Sequence, residues 1–305
     1  MAPASQRRLP GNADVSLPAF SYPEAFARNL GWVTEAEQAR LRTSRIAIAG
    51  LGGVGGTHLL TLARLGIGAF HIADFDRFAL ANFNRQVGAT MRNLDRPKID
   101  ALAESALDIN PELELERFPM GLLESNIDEF LRGVDLYVDG LDYFALDIRR
   151  VVFARCAQLG IPAVTAAPLG MGVALLNFLP GGMGFEEYFR LQGHSADEQA
   201  IRFLLGLSPR LLQRSYLVDV SRVDFANHRG PSTVMACELC AGFAATESLK
   251  ILLKRGHIRQ APRGVHFDAY RYKLTRTWRP FGNANPLQQL MLSFARRELR
   301  KGLQV

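Results

Sequence analysis

An α/β fold is the architecture this sequence predicts: a mostly parallel central sheet with flanking helices, extended towards the C-terminus by further strands and helices. Three observations predict it. Short runs of β-branched and small apolar residues, such as RIAIAG at Arg45 to Gly50, have the character of strands buried on both faces. Segments of helical period separate those runs at the spacing that right-handed crossovers need. A glycine-rich turn, Gly50 to Gly55, stands between the first such strand and the first such helix, as in a Rossmann-like nucleotide domain.

Residues 1–21 are polar and Pro-containing and read as a flexible arm with no core of its own. From Tyr22 to Arg42, YPEAFARNLGWVTEAEQARLR has helical character and leads into the first strand. AFHIADFD gives a second strand ending in carboxylates, and IDALAESALDINP a helix closed by Asn110 and Pro111. LELERF and DLYVDG are the third and fourth strands, Arg149 to Leu159 is helical, and IPAVTAAPLG and VALLNFLP are strands again. Residues 22–180 therefore form the N-terminal helix and nucleotide-binding part. Residues 181–305 are a substrate or crossover region and the C-terminal part of the same domain. Within it, Pro180 to Pro231 reads as loop-rich, and MACELCAGFAATESLKILLKRG as a long helix ending at Gly256. VHFDAYRYKLTRTW alternates as a strand or hairpin. NPLQQLMLSFARRELRK is an amphipathic helix with Leu287, Leu290, Met291 and Phe294 on its apolar side, expected to cover the body or a second subunit.

Composition narrows the class. Hydrophobic residues at 48% and charged residues at 22% suit a sizeable globular core. No run approaches the roughly 20 apolar residues of a membrane span, and the start lacks the apolar stretch of a signal peptide. Three cysteines, Cys156, Cys237 and Cys240, suggest no disulfide framework. A soluble, cytoplasmic protein with no membrane partner is expected. The net charge of +6 is uneven: from Ile251 onwards 12 Lys and Arg face 2 Asp and Glu, leaving the first 250 residues at 24 against 28. The nucleotide-binding part is thus not basic. The basic C-terminal part reads as a solvated surface in preference to an RNA site.

The chemistry lies around the glycine turn. Gly50, Leu51, Gly52, Gly53, Val54 and Gly55 satisfy G-x-G-x-x-G, which lets backbone amides approach phosphate oxygens at a helix N-terminus. Asp74 ends the second strand, where a carboxylate accepts hydrogen bonds from a ribose. A nicotinamide or flavin oxidoreductase would show these two features as well. The next stretch of chain is more specific: D-x-D at Asp74 and Asp76, NFNRQ from Asn82 to Gln86, Lys98, and INP from Ile109 to Pro111. In order and spacing these resemble the ThiF/MoeB/HesA superfamily of adenylating enzymes, related to the ubiquitin-activating enzymes.

The resemblance implies an ATP-dependent adenylyltransferase that activates a carboxylate as an acyl-adenylate and releases pyrophosphate. A peptide or ubiquitin-like small-protein C-terminus is the first expectation for that carboxylate, a small-molecule acid another. Arg85 and Lys98 would hold the phosphates and Asn82 orient them. Asp74, in part interchangeably with Asp76, would fix the ribose, and Asp142 in DGLDYF would hold Mg2+ near the α-phosphate. Arg28 in AFARNLG would reach the nucleotide site of a partner subunit, so a homodimer is implied, with Asn29 where glutamine is usual.

The sequence also departs from the family. Relatives often hold zinc with two C-x-x-C pairs, whereas this chain has one, Cys237 to Cys240, read as core packing. No acceptor cysteine is evident. Tyr143 and Asp147 stand where relatives have Asn and then an arginine about five residues past the aspartate, a role left to Arg149 or Arg150. The six histidines form no ligand spacing. Three other readings remain: a tRNA-modifying dehydratase of the same superfamily, a nucleotide-binding non-catalytic partner, and the oxidoreductase.

Overall fold

The computed structural model describes residues 19–223 and 229–302, so residues 1–18 of the expected N-terminal arm, and His228, lie outside the described residues. The chain begins with α1 (Tyr22–Ala25), a 3-10 turn (Ala27–Asn29) and α2 (Glu35–Arg42). Then come β1 (Arg45–Ala49), α3 (Gly53–Arg64), β2 (Ala69–Ala73), α4 (Lys98–Ile109), β3 (Glu114–Phe118), α5 (Ile127–Phe130) and β4 (Leu136–Asp139). After α6 (Leu146–Leu159) a hairpin of β5 (Ala163–Leu169) and β6 (Gly172–Phe178) leads to α7 (Phe185–Phe189) and α8 (Ala196–Leu207). The chain ends with α9 (Val234–Leu252), β7 (Arg263–Asp268), β8 (Lys273–Trp278) and α10 (Pro286–Gly302).

All eight strands join one sheet in the order β3-β2-β1-β4-β5-β6-β7-β8. The first five run parallel, and β6, β7 and β8 add on antiparallel. From β1 the chain moves one way to β2 and returns to β4 on the other side, which makes the carboxyl ends of β1 and β4 the switch point at which such sheets form a crevice. Open α/β sheets bind ligands at such a switch point.

Strand alternation feeds two cores. Ile46 and Ile48 of β1 face Leu59, Leu62, Leu102 and Ala244, on the side covered by α3, α4 and α9. Ala47 and Ala49 face the opposite side, where Tyr137, Phe153, Phe178, Phe185, Phe189 and Phe203 form an aromatic core. The C-x-x-C residues Cys237 and Cys240 are buried in the first core with α9, and burial pushes both thiols up from their ordinary value.

Three segments differ from the sequence expectation. Tyr22 to Arg42 is broken into short helical pieces, because Gly31 takes a left-handed φ of 102° and Thr34 starts α2 afresh with a capping box to Glu37. The loop-rich region contains α8, 12 residues long and capped by Ser195. Its start signal, Ser195 followed by Asp197 and Glu198 before an apolar run, is visible in the sequence. Finally, α10 packs by a different stripe from the one its apolar residues mark. Gln288 and Leu292 are buried, while Leu287 and Leu290 are each 68% exposed and Phe294 50%. Polar anchors set this orientation: Gln288 Nε2 donates to the Leu205 carbonyl at 2.7 Å, and Arg296 grips Glu198 of α8. Residues 288, 292 and 296 are four apart and share one face.

Candidate active site

The strand β1 ends at Gly50, whose φ of 81° belongs to the left-handed region and turns the chain into α3. Inside the turn the backbone is packed against itself. A Cβ on Gly55 would overlap the carbonyl of Gly50, and one on Gly140, just past β4, would meet Gly50, Gly55 and Ala49. The loop after β4 therefore lies directly on the glycine turn. No side chain caps the N-terminus of α3, so its first-turn amides face the crevice as donors for an anion.

The predicted carboxylates and lysine meet at this turn. Asp74 is buried and accepts the Leu51 N–H at 2.6 Å and the Asp76 N–H at 2.8 Å, so it shapes the glycine turn as well as facing it. Burial raises its carboxyl above the usual value, against those two N–H groups and Lys98. The Lys98 ammonium, itself buried, lies 2.9 Å from Asp76, whose side chain stays half exposed. Arg85 is half-buried, with Nη1 bonded back to the Ala81 carbonyl and to Asn84 Oδ1. Its aliphatic stem runs beside Gly53. Asn82 uses its Oδ1 to accept the Ala79 N–H, closing the turn that carries Arg85.

Asp142 is exposed on the loop after β4, and its Oδ1 accepts the Phe144 N–H at 3.0 Å. Of the two candidate compensating arginines, Arg149 is the one tied to this loop: Nε lies 2.9 Å from Asp139 and Nη2 2.7 Å from the Leu141 carbonyl. Arg150 instead pairs with Glu186 of α7. Among the described residues no three His, Cys, Asp or Glu side chains cluster to hold a metal unaided. A magnesium ion at Asp142 would need phosphate oxygens and water as its other ligands, the usual habit of that ion.

Arg28 is not in this crevice. It is exposed, and its neighbour Asn29 donates to the Leu65 carbonyl at the far end of α3, about 18 Å along a 12-residue helix from the glycine turn. Two residues to which the sequence assigns no role, Asp139 and Gln86, lie beside the same turn. Asp139 was signalled by a carboxylate ending an otherwise apolar strand. Gln86 is buried with its amide 3.8 Å from the Cβ position of Gly52, and its Oε1 lacks a partner among the described residues.

Known proteins resemble this chain. Over 214 residues it is 28% identical to Protein HesA of Nostoc sp., covering 64% of this chain and 84% of that one. It is 32% identical over 143 residues to the sulfur carrier protein ThiS adenylyltransferase of Escherichia coli, 47% of this chain and 56% of that one. The fold superimposes on E. coli MccB, solved with ATP, with a TM-score of 0.63 at 17% identity, covering 87% of this chain and 73% of that one. No helix among the described residues is long and apolar enough to cross a membrane. The ThiF family pattern matches residues 26–289, nearly the whole of the sheet and its helices, and the chain belongs to the ThiF family.

Proposed function

We propose that the protein uses magnesium ATP to adenylate a carboxylate, most naturally the C-terminus of a peptide or small protein, and releases pyrophosphate. One observation carries the reading. A buried lysine, two carboxylates and an uncapped helix N-terminus converge where the loops after β1 and β4 touch. That arrangement suits a polyanionic triphosphate better than a nicotinamide ring.

In the reaction an acyl carboxylate oxygen bonds to the α-phosphorus as the bond to the β-phosphate oxygen breaks, and no protein nucleophile is required. The α3 amides hold phosphate oxygens, Lys98 neutralises charge on the leaving pyrophosphate, and Arg85 swings from its own turn to do the same. Asp74 and Asp76 accept from the ribose. Asp142 would hold magnesium, which supplies charge neutralisation at the phosphates. Arg28, exposed and remote from its own crevice, would serve the site of a second copy in a homodimer. The ThiS adenylyltransferase relative supports a small-protein substrate.

ATP–pyrophosphate exchange across peptides, small-protein C-termini and small acids tests this reading. Exchange dependent on one carboxylate class is expected. ATP binding without exchange from any of them would favour a non-catalytic partner, and a tightly held redox cofactor the oxidoreductase.

A second reading, an RNA-modifying member of the family, is favoured by the β7–β8 hairpin. It exposes Tyr270, Tyr272 and Trp278 beside Arg263, Lys273 and Arg276, which have no carboxylate partner among the described residues. Stacking rings among unpaired cations suit single-stranded RNA. Salt-dependent binding of tRNA, lost when Tyr272 and Trp278 become Ala, would support it.

A further inference from the structure

The loop from Asp139 to Phe144 leaves the sheet at the nucleotide crevice, and one buried side chain organises it. Arg149, in the second turn of α6, sends Nε to Asp139 Oδ2 at 2.9 Å and Nη2 to the carbonyls of Leu141 at 2.7 Å and Asp142 at 3.0 Å. Nη1 reaches towards the Tyr143 carbonyl at 3.4 Å. Three successive carbonyls are thus turned inward to one guanidinium. The carboxylate it faces is equally occupied: Asp139 Oδ2 also accepts Thr165 Oγ1 at 2.9 Å, and Oδ1 accepts the Leu141 N–H at 3.2 Å. Arg149 and Asp139 are both nearly inaccessible, with side chains 3% and 2% exposed. A buried ion pair persists when its remaining donors and acceptors are satisfied, as they are here.

The far side of the guanidinium stacks on Phe203 of α8, 4.9 Å from the ring centroid, and Tyr143 from the same loop donates its hydroxyl to the Ala200 carbonyl of α8. The loop is therefore clasped between α6 and α8. Its other side is the backbone of Gly140 on the glycine turn.

We propose that Arg149 is a positioning residue that sets where Asp142 presents its carboxylate to the metal of a bound nucleotide, with Phe203 and Tyr143 fixing the clasp from α8. This rests on the proposed role of Asp142 in holding magnesium. A planar fork is needed, because only a guanidinium can serve a carboxylate and adjacent carbonyls at once. Lysine would keep the charge and lose the loop geometry.

The test compares wild type with Arg149→Lys, Asp142→Asn, the double variant and Thr165→Val, which removes one donor from Asp139 with little change in shape. Each is checked for cooperative thermal unfolding, for metal-free binding of a non-hydrolysable ATP analogue, and for Mn2+ binding to the analogue complex by electron paramagnetic resonance. Arg149→Lys is expected to leave metal-free affinity within about threefold and to raise half-saturating Mn2+ at least about tenfold. Thr165→Val should raise it by a smaller factor. The double variant should be no worse than Asp142→Asn, since Arg149 acts through that carboxylate. Should Arg149→Lys not fold, Thr165→Val and the milder Tyr143→Phe decide alone. Folded variants with wild-type Mn2+ half-saturation overturn the proposal. If Asp142→Asn itself leaves Mn2+ binding unchanged, the assignment of Asp142 fails instead. Absence of pyrophosphate exchange in wild type would count against the adenylation reading without touching the metal titration.

Discussion

The ammonium of Lys98 stands 2.9 Å from a carboxylate oxygen of Asp76, and the Lys98 backbone N–H donates to the Asp76 carbonyl, also at 2.9 Å. The first residue of α4 is thereby held at the end of β2 by both main chain and side chain. Under the proposed function, nucleotide phosphates entering the crevice would meet a lysine whose position is already fixed.

Lys98→Met should therefore cost catalysis more than stability. Removing one preorganised donor to a developing charge lowers kcat by about 10²- to 10³-fold in other enzymes, and a similar fall in exchange rate is expected. Asp76 is half exposed, so the loss of its partner should change the unfolding free energy by at most about 1 kcal/mol. Exchange kinetics beside a denaturant titration check both halves.

Gly55→Ala has the opposite balance from a helix-surface glycine. A Cβ there overlaps the Gly50 carbonyl, whereas one at the exposed Gly242 of α9 meets nothing within 4 Å. Gly55→Ala is expected to destabilise by about 1–3 kcal/mol and to weaken nucleotide binding at least about tenfold. Gly242→Ala should stabilise by about 0.5–1 kcal/mol. Denaturant midpoints and nucleotide titrations would separate the two positions.

Arg28 can be tested by mixing subunits. If it serves the neighbouring crevice, Arg28→Ala and Lys98→Met are each impaired alone. Refolding them together in equal amounts should then restore roughly a quarter of wild-type exchange, since half the dimers are mixed and each mixed dimer has one complete site. No restoration, with mixed dimers confirmed by mass, would assign Arg28 to the surface.

His58 of α3 is fully buried, and neither ring nitrogen has a partner among the described residues. Burial lowers its pKa from 6.5 to about 4, so the unfolded chain takes up a proton in that interval that the folded chain refuses. Stability attributable to this group is complete above about pH 6.5 and is lost as pH falls towards 4, by up to about 3 kcal/mol. His266 is lowered to about 4 by burial and adds to the same slope. His58→Leu should flatten the acid limb and leave stability at pH 7 equal or higher, as read from unfolding free energies between pH 4.5 and 7.5.

Much of this was legible in the residues. Strands buried on both faces announce themselves as apolar runs, and the spacing of Gly50 and Asp74 is set by the βαβ unit of β1, α3 and β2, with Arg85 in the connection that follows and Lys98 opening α4. The clasp was less legible. Arg149 lies ten residues beyond Asp139, and only the path of the loop between them decides that it, and not Arg150, turns inward. The face presented by α10 was read from its leucines, whereas Gln288 and Arg296 determine it. Polar anchors of that kind depend on a carbonyl at Leu205 and a carboxylate at Glu198 that local sequence does not pair with them.

The helix α3 has both ends employed. Its first amides open on the crevice, and the carbonyls just beyond its last turn are taken by the N-terminal segment: Tyr22 bonds to Gly66, and Asn29 and Gln38 bond to Leu65. A truncation or tag that pulls away residues 19–30 would strip Gly66 of its Tyr22 bond, leave Leu65 with Gln38 alone, and loosen one end of a rigid rod. Weaker nucleotide affinity would then register at the other end, so a trimmed protein that binds ATP poorly would mislead anyone mapping the site from contacts alone.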